Sequence, residues 1–339
     1  MSLDTNIPFW LSIVFMAGGL YTLAKSADMF VDSAAVLARR FGISPLIVGM
    51  VVIGFGTSAP ELAVSAISAS GGHPELSLGN AYGSCIFNIA GILGVVALIK
   101  PLAVKASVNA FAVPLLAGIT ALSAFLLKDG SFCRADAIVL LALFAVLLPL
   151  YCWYDQKNAK PKKDGCCGEI GCGCLSRRPV WMEAVRTVAG LVLLVTSSHL
   201  LVWGSVDFAR DIIGASDLLI GLTIVAIGTS LPELASAIAS VRKGENEFVI
   251  GNIVGSNFFN SLAVVGIAGT ISPFRDYSQF ILLRDLPVMF VLTLMIALIS
   301  IDLRHPFKAG TIGRVNGAVL LAVFVAYSVV MAYQELCVR

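Results

Sequence analysis

Two glutamates, Glu61 and Glu233, stand inside long apolar runs, each directly behind a proline and each preceded at the same spacing by a threonine and a serine. On a helix Thr57 and Ser58 lie four and three residues before Glu61 and share its face, and Thr229 and Ser230 do the same for Glu233. An ionisable side chain at membrane depth costs about 3 kcal/mol on insertion scales, which makes it a functional candidate by default. The alternative is a glutamate that pins helices by pairing with a buried base. No Lys, Arg or His occurs within these motifs, and Lys25 alone could not neutralise both carboxylates. Further along, Asn80, Ser84 and Asn88 recur in steps of four on one helical face, as do Asn252, Ser256 and Asn260. Asn80 and Asn252 suit either ligation or interhelical hydrogen bonding, whereas Asn88 and Asn260 are read as ligands.

Pro60 and Pro232, inside a continuous helix, would each remove one backbone hydrogen bond and free the carbonyl four residues back, at Gly56 and Gly228. In a membrane such a break is tolerated only where the freed groups face protein, water or a ligand. Two carboxylates, amide oxygens, hydroxyls and freed carbonyls add up to an all-oxygen site without sulfur or imidazole. Calcium takes six to eight such ligands in loose geometry, and zinc or copper would favour His or Cys. Two negative charges also balance one divalent ion. Calcium is the expected cation, with sodium competing for the same oxygens. Two carboxylates close together in low dielectric favour some occupant, proton or cation, and a carrier that is unfavourable to leave empty suits obligatory exchange better than a channel or uniporter.

The elements that hold these residues must lie in a bilayer. Of 339 residues 58% are hydrophobic and only 13% charged, with a mean hydropathy of +0.91, against roughly a quarter charged in soluble domains. Charges nearly balance, 23 basic against 21 acidic, so no nucleic-acid partner is expected. Apolar runs near 8–38, 44–70, 76–100, 107–127, 135–154, 181–209, 216–241, 247–272, 280–303 and 311–335 are each about the length of one helical crossing. A barrel would alternate polar and apolar residues, and Ala137 to Tyr151 does not. The expected fold is an all-α integral membrane protein of ten transmembrane helices. No cleavable signal peptide is expected, because Asp4 rather than basic residues precedes the first apolar run. With the N-terminus outside, sixteen basic residues fall in inside loops against six outside, as the positive-inside rule requires. Both termini are therefore expected outside and residues 155–180 in the cytoplasm.

Reading the sequence against itself at an offset of 172 aligns Gly56 with Gly228 and runs without a gap to Pro101 and Pro273, with 19 of 46 pairs identical. The matches are Thr, Ser, Pro, Glu, Asn and Gly rather than the Leu, Val and Ala that shared composition would favour. A duplication follows. Five spans per half, an odd number, would turn the second copy upside down, and inverted repeats place a shared site at the bilayer midplane. The expected divisions are an N-terminal five-helix repeat over 1–154, a cytoplasmic Cys-rich loop over 155–180 and a C-terminal inverted repeat over 181–339. Gly79, Gly83, Gly251 and Gly255 would let helices approach closely.

The motifs GTSAPE with GNAYGSCIFN, and GTSLPE with GNIVGSNFFN, resemble the α-repeats of the sodium/calcium exchanger family within the calcium/cation antiporter superfamily. The resemblance covers about residues 44–101 and 216–273, and ten spans with a central loop resemble its prokaryotic members. It implies a secondary antiporter that exchanges Ca2+ for Na+ by alternating access, not an enzyme, with no cofactor beyond its transported ions. By the same resemblance Glu61 and Glu233 are the central ligands. Thr57, Ser58, Ser84, Asn88, Thr229, Ser230, Ser256 and Asn260 line the site, joined by backbone oxygens at Gly54 and Ala226. The long first and sixth spans would slide across this core as the gate. Two departures bear on the function. Cys85, where the second copy has Asn257, reads as a packing substitution with a soft neighbour for the cation; Asn260 stands where potassium-dependent branches carry Asp, so potassium should not be required.

Calcium/proton exchange is the alternative counter-ion reading. From another class, an intramembrane hydrolase could use the glutamate pair as an acid/base dyad, but that leaves the doubled Asn, Ser and Thr unexplained. Residues 155–180 carry six basic and three acidic side chains, which suits contact with lipid headgroups. Cys166, Cys167, Cys172 and Cys174 within them could bind a soft metal or remain free thiols in a reducing cytosol. The partners expected are Ca2+, Na+ and the bilayer, with no obligatory protein partner implied, and the host membrane is expected to be a bacterial plasma (inner) membrane. Asp28 and Asp32 share a face with Lys25, so an internal ion pair and a part in ion access are both open. Glu75, Glu245 and Glu247 are placed in solvated turns.

Overall fold

The computed structural model describes residues 9–72, 74–105, 107–158, 178–208, 226–275, 278–300 and 310–337. Among the described residues the apolar runs are helical, since backbone polar groups in lipid must be satisfied within their own segment. In chain order these are α1 (Phe9–Phe41), α2 (Pro45–Thr57), α3 (Ala59–Ser70), α4 (Leu76–Ile99), α5 (Val108–Leu127), α6 (Arg134–Asn158), α7 (Val180–Phe208), α8 (Ala226–Thr229), α9 (Leu231–Arg242), α10 (Asn246–Ile271), α11 (Ile281–Ser300) and α12 (Arg314–Cys337). Among the described residues seven helices are long and apolar enough to cross a membrane, and eight if the bent pair α2 and α3 counts as one. The fold is a largely helical membrane protein.

Burial separates the helices into layers. The most apolar stretch of α10 is 100% buried and that of α4 72%, whereas those of α6 and α12 are only 17% and 11% buried. The two helices that follow the glutamates are thus central, and the last helix of each half faces outward. Small residues permit the tightest crossing: a Cβ added to Gly251 would lie 2.4 Å from the Leu46 carbonyl, and one on Gly255 would lie 2.5 Å from that of Met50. α1 and α7 make a second packing unit. Gly19 meets Leu201, Gly190 meets Phe30 and Gly204 meets Ser12, an antiparallel sequence of contacts, and Phe15 stacks on Trp203 with ring centroids 5.5 Å apart. Their buried faces, with Val48, Ala239 and Phe248, form a cluster distinct from the main core.

Four short strands tie the halves together: β1 (Leu102–Val104), β2 (Ser131–Phe132), β3 (Phe274–Arg275) and β4 (Gly310–Ile312). β1, which follows α4, pairs antiparallel with β4, which precedes α12; β2, which precedes α6, pairs with β3, which follows α10. The helices follow the same exchange. Gly94 of α4 packs against Gly317 and Leu321 of α12, and Gly266 of α10 against Ala137 and Leu141 of α6. Each half is completed by the last helix of the other.

Candidate functional site

The two motifs unwind at their serines. α2 ends at Thr57, Ser58 adopts φ −83° and ψ 4°, and α3 leaves at an angle of 43°; Ser230, between α8 and α9, has φ −94° and ψ 11°. Pro60 and Pro232 sit in the first turn of the new helices. There a missing N–H costs nothing, because the first-turn N–H groups have no intrahelical acceptor. The proline effect is therefore to start a second helix at Ser58 rather than to kink one, and it places each glutamate in a first turn whose N–H groups favour negative charge. The expected freed carbonyl at Gly228 has a partner: it accepts from Ser198 Oγ of α7 at 3.0 Å. Gly54 O receives Ser58 N at 3.1 Å and lies within 3.4 Å of Ser256 Oγ. Gly56 is buried beside Leu191, and Ala226 opens α8.

At the centre the two copies exchange hydrogen bonds. Ser58 Oγ donates to Glu233 Oε1 at 3.0 Å, and Ser230 Oγ donates to Glu61 Oε1 at 3.0 Å. Ser230 Oγ also lies 3.2 Å from Ser84 Oγ. Thr57 Oγ1 donates to its own helix at Ile53 O (2.9 Å) and lies 3.4 Å from Asn252 Oδ1, which Ser256 approaches at 3.5 Å. Glu61, Glu233, Asn88 and Asn260 are at most 1% exposed. Among the described residues each carboxylate keeps its second oxygen, Oε2, without a hydrogen-bond partner, and so do Asn88 Oδ1 and Asn260 Oδ1. Buried polar atoms are rarely left so.

Asn80 and Asn252 act as braces. Their amides donate to the main-chain carbonyls of Glu61 (3.2 Å) and Glu233 (3.3 Å), and to Ser65 Oγ and Ser236 Oγ, both at 3.1 Å. They lock each glutamate-bearing helix to the one after it. The two serines escape a comparison at fixed offset, since Ser65 aligns with Ala237 and Ser236 with Val64. Asn257, passed over as the partner of a mismatched cysteine, accepts from Asn88 Nδ2 at 3.1 Å.

Other sequence expectations are redrawn. Lys25 does not pair with Asp28 or Asp32; its Nζ stands over the Tyr21 ring at 5.9 Å. Lys243, from the turn between α9 and α10, binds Asp32 at 2.8 Å and Asp28 at 3.5 Å. Glu245 and Glu247 are ion-paired rather than simply solvated, with Arg39 at 2.9 Å and Lys105 at 2.8 Å. Cys166, Cys167, Cys172 and Cys174 lie outside the described residues, and so does the start of the expected span 216–241.

With this geometry in place, comparison with known proteins is specific. The family model described as sodium/calcium exchanger protein matches residues 11–153 and 183–333. The chain is 42% identical over 317 residues to CaxA of Alkalimonas amylolytica, covering 94% of this chain and 97% of that one. It is 36% identical to the inner membrane protein YrbG of Escherichia coli, over 85% and 88% of the two chains. Among solved structures, one of the sodium-calcium exchanger NCX_Mj superposes with a TM-score of 0.78 at 28% identity, covering 95% of this chain and 98% of that one. The chain belongs to the sodium/calcium exchanger protein family, and is an antiporter rather than an enzyme.

Proposed function

We propose that the chain exchanges Ca2+ for Na+ by alternating access at a site formed by Glu61, Glu233, Thr57, Ser58, Ser84, Asn88, Thr229, Ser230, Ser256 and Asn260, with backbone oxygens at Gly54, Gly56, Ala226 and Gly228. One observation carries the reading: Glu61 Oε2, Glu233 Oε2, Asn88 Oδ1 and Asn260 Oδ1 are four buried oxygens without hydrogen-bond partners among the described residues. A buried acceptor left unmatched costs about 1–3 kcal/mol, more when charged. A hard cation relieves all four, and two carboxylates match the charge of Ca2+. Sodium binds the same oxygens, and the sodium/calcium exchangers MaX1 of Methanosarcina acetivorans and NCX_Mj are relatives by sequence and by fold.

The organisation that goes with this function is ten spans in two inverted five-helix repeats, 1–154 and 181–339, joined by a cytoplasmic Cys-rich loop 155–180, with both termini outside. The packing unit of α1 and α7, distinct from the main core, serves as the moving gate. The host membrane is a bacterial inner membrane, like that of YrbG. Calcium-45 uptake into proteoliposomes loaded in turn with sodium, potassium or a pH gradient tests the proposal. Uptake is expected with the sodium gradient, and potassium should be dispensable because Asn260 supplies an amide in place of a carboxylate. Uptake driven only by the pH gradient would overturn sodium coupling in favour of protons.

A further inference from the structure

The duplicated asparagines are not held alike, and the difference traces to one residue. On α4, Asn88 gives its amide to Asn257 Oδ1 at 3.1 Å, which fixes the side chain and leaves Oδ1 as its free atom. The offset of 172 that relates the copies makes Asn260 the counterpart of Asn88, and Cys85 the counterpart of Asn257. By that symmetry Asn260 Nδ2 should find its acceptor at position 85. A thiol is a poor acceptor: Asn260 interacts with the Cys85 side chain, but among the described residues neither its Nδ2 nor its Oδ1 has a partner at full hydrogen-bond geometry. The closer contacts of Cys85 are with others: its Sγ lies 3.5 Å from Ser261 Oγ and donates to Asn257 O at 3.8 Å, and Ser261 stands where the first copy has Ile89. The main-chain half of the exchange persists, because Asn257 Nδ2 reaches Cys85 O at 3.5 Å. Only the side-chain acceptor is weakened.

We infer that Cys85 is a positioning residue that sets cation affinity by offering Asn260 only a weak thiol acceptor in place of the amide oxygen that orients Asn88. An amide whose nitrogen is tethered presents its oxygen to a cation without reorganisation, and an untethered one must give up rotational freedom on binding. Asn88 is then a preorganised ligand and Asn260 an adjustable one. The site binds its cation more firmly on the α4 side than on the α10 side, which favours release as well as capture. This rests on the proposal that Asn88 and Asn260 are ligands.

Cys85→Asn restores the amide acceptor in nearly the same volume, and Asn257→Cys removes the existing one. Initial rates of calcium-45 uptake by the full-length protein in sodium-loaded proteoliposomes separate KM from kcat. Cys85→Asn should lower KM for Ca2+ roughly three- to tenfold, the value of one ordinary hydrogen bond, with kcat unchanged or reduced. Asn257→Cys should raise KM by a similar factor. Thermal unfolding in detergent, followed with and without Ca2+, should show a larger Ca2+-dependent rise in Tm for Cys85→Asn than for the native protein. The inference fails if KM and the Ca2+-dependent Tm shift are unmoved in both variants while Asn88→Ala and Asn260→Ala raise KM. Native KM in both alanine variants overturns instead the reading of these residues as ligands. If Cys85→Asn does not fold, Asn257→Cys decides alone: KM raised with kcat retained supports the role, and KM unchanged removes it.

Discussion

Glu61 and Glu233 are each held by a serine of the opposite copy at the same distance of 3.0 Å, while Asn88 is tethered by the Asn257 amide and Asn260 has only the Cys85 thiol beside it among the described residues. The duplication is thus kept where charge is carried and relaxed at the neutral amides. The contrast has a physical basis. A buried carboxylate must be stabilised whichever copy holds it, so neither glutamate tolerates loss of its donor. A neutral amide without a partner costs far less. One copy can then drift to Cys85 without collapse of the site.

The comparison breaks most severely at the carboxylates. Glu61→Gln and Glu233→Gln each retain an oxygen and the volume but remove one of the two charges that balance a divalent ion. Each should lower calcium-45 uptake by a hundredfold or more, on the order of 3 kcal/mol, as for loss of a buried charge partner, while the protein still folds. Retained flux in either would move the site elsewhere. Next come the serines. Ser58→Ala and Ser230→Ala each strip the serine donor from one glutamate oxygen, worth about 1.5–3 kcal/mol for a charged acceptor. Both should raise KM for Ca2+ by a comparable factor, roughly ten or more. A large effect at one serine and none at the other would show that the central exchange is as unequal as the outer one.

Much of this was legible in the sequence because the repeat is written in residues that composition does not favour. The Thr-Ser-x-Pro-Glu pattern located the break, and the structure moved it by only two residues, from Pro60 to Ser58, because a proline in a first turn starts a helix where one in mid-helix would bend it. The roles of Ser65 and Ser236 were hidden, since the two copies place the same hydroxyl one residue apart. Asn252 could not be assigned between ligand and brace until its amide was seen on the Glu233 carbonyl. Ser198 and Lys243 reach partners far away in sequence, and no local spacing marks such pairs.

A third contrast lies between the crowded crossing of α2 with α10 and the outer face of α5. A Cβ on Gly251 would collide with the Leu46 carbonyl, which belongs to the main chain and cannot rotate away, whereas one on Gly118 would meet nothing within 4 Å. Gly251→Ala should cost about 1–3 kcal/mol of stability as an overpacking change, read as a lower Tm in detergent, and Gly118→Ala should leave Tm essentially unchanged. Equal effects would mean that the crossing yields more easily than close-packed main chains allow.

The smallest expected effect lies at the turns that follow the two glutamate helices. Gly71 in the first copy aligns with Lys243 in the second, so only the second turn sends a cation to α1. There Lys243 Nζ meets Asp32, Asp28 and the Asp28 carbonyl, the last at 2.7 Å. The asparates' side chains are about half exposed, at 47% and 57%, so water screens the pairs and each is worth no more than about 1 kcal/mol. Lys243→Ala should therefore lower Tm only slightly at low ionic strength, and the difference should fade in about 1 M salt, where screening acts within about 3 Å. A loss of several kcal/mol that survives high salt would show instead that the turn and α1 enclose this lysine away from water, making the contact between α1 and the core a desolvated one.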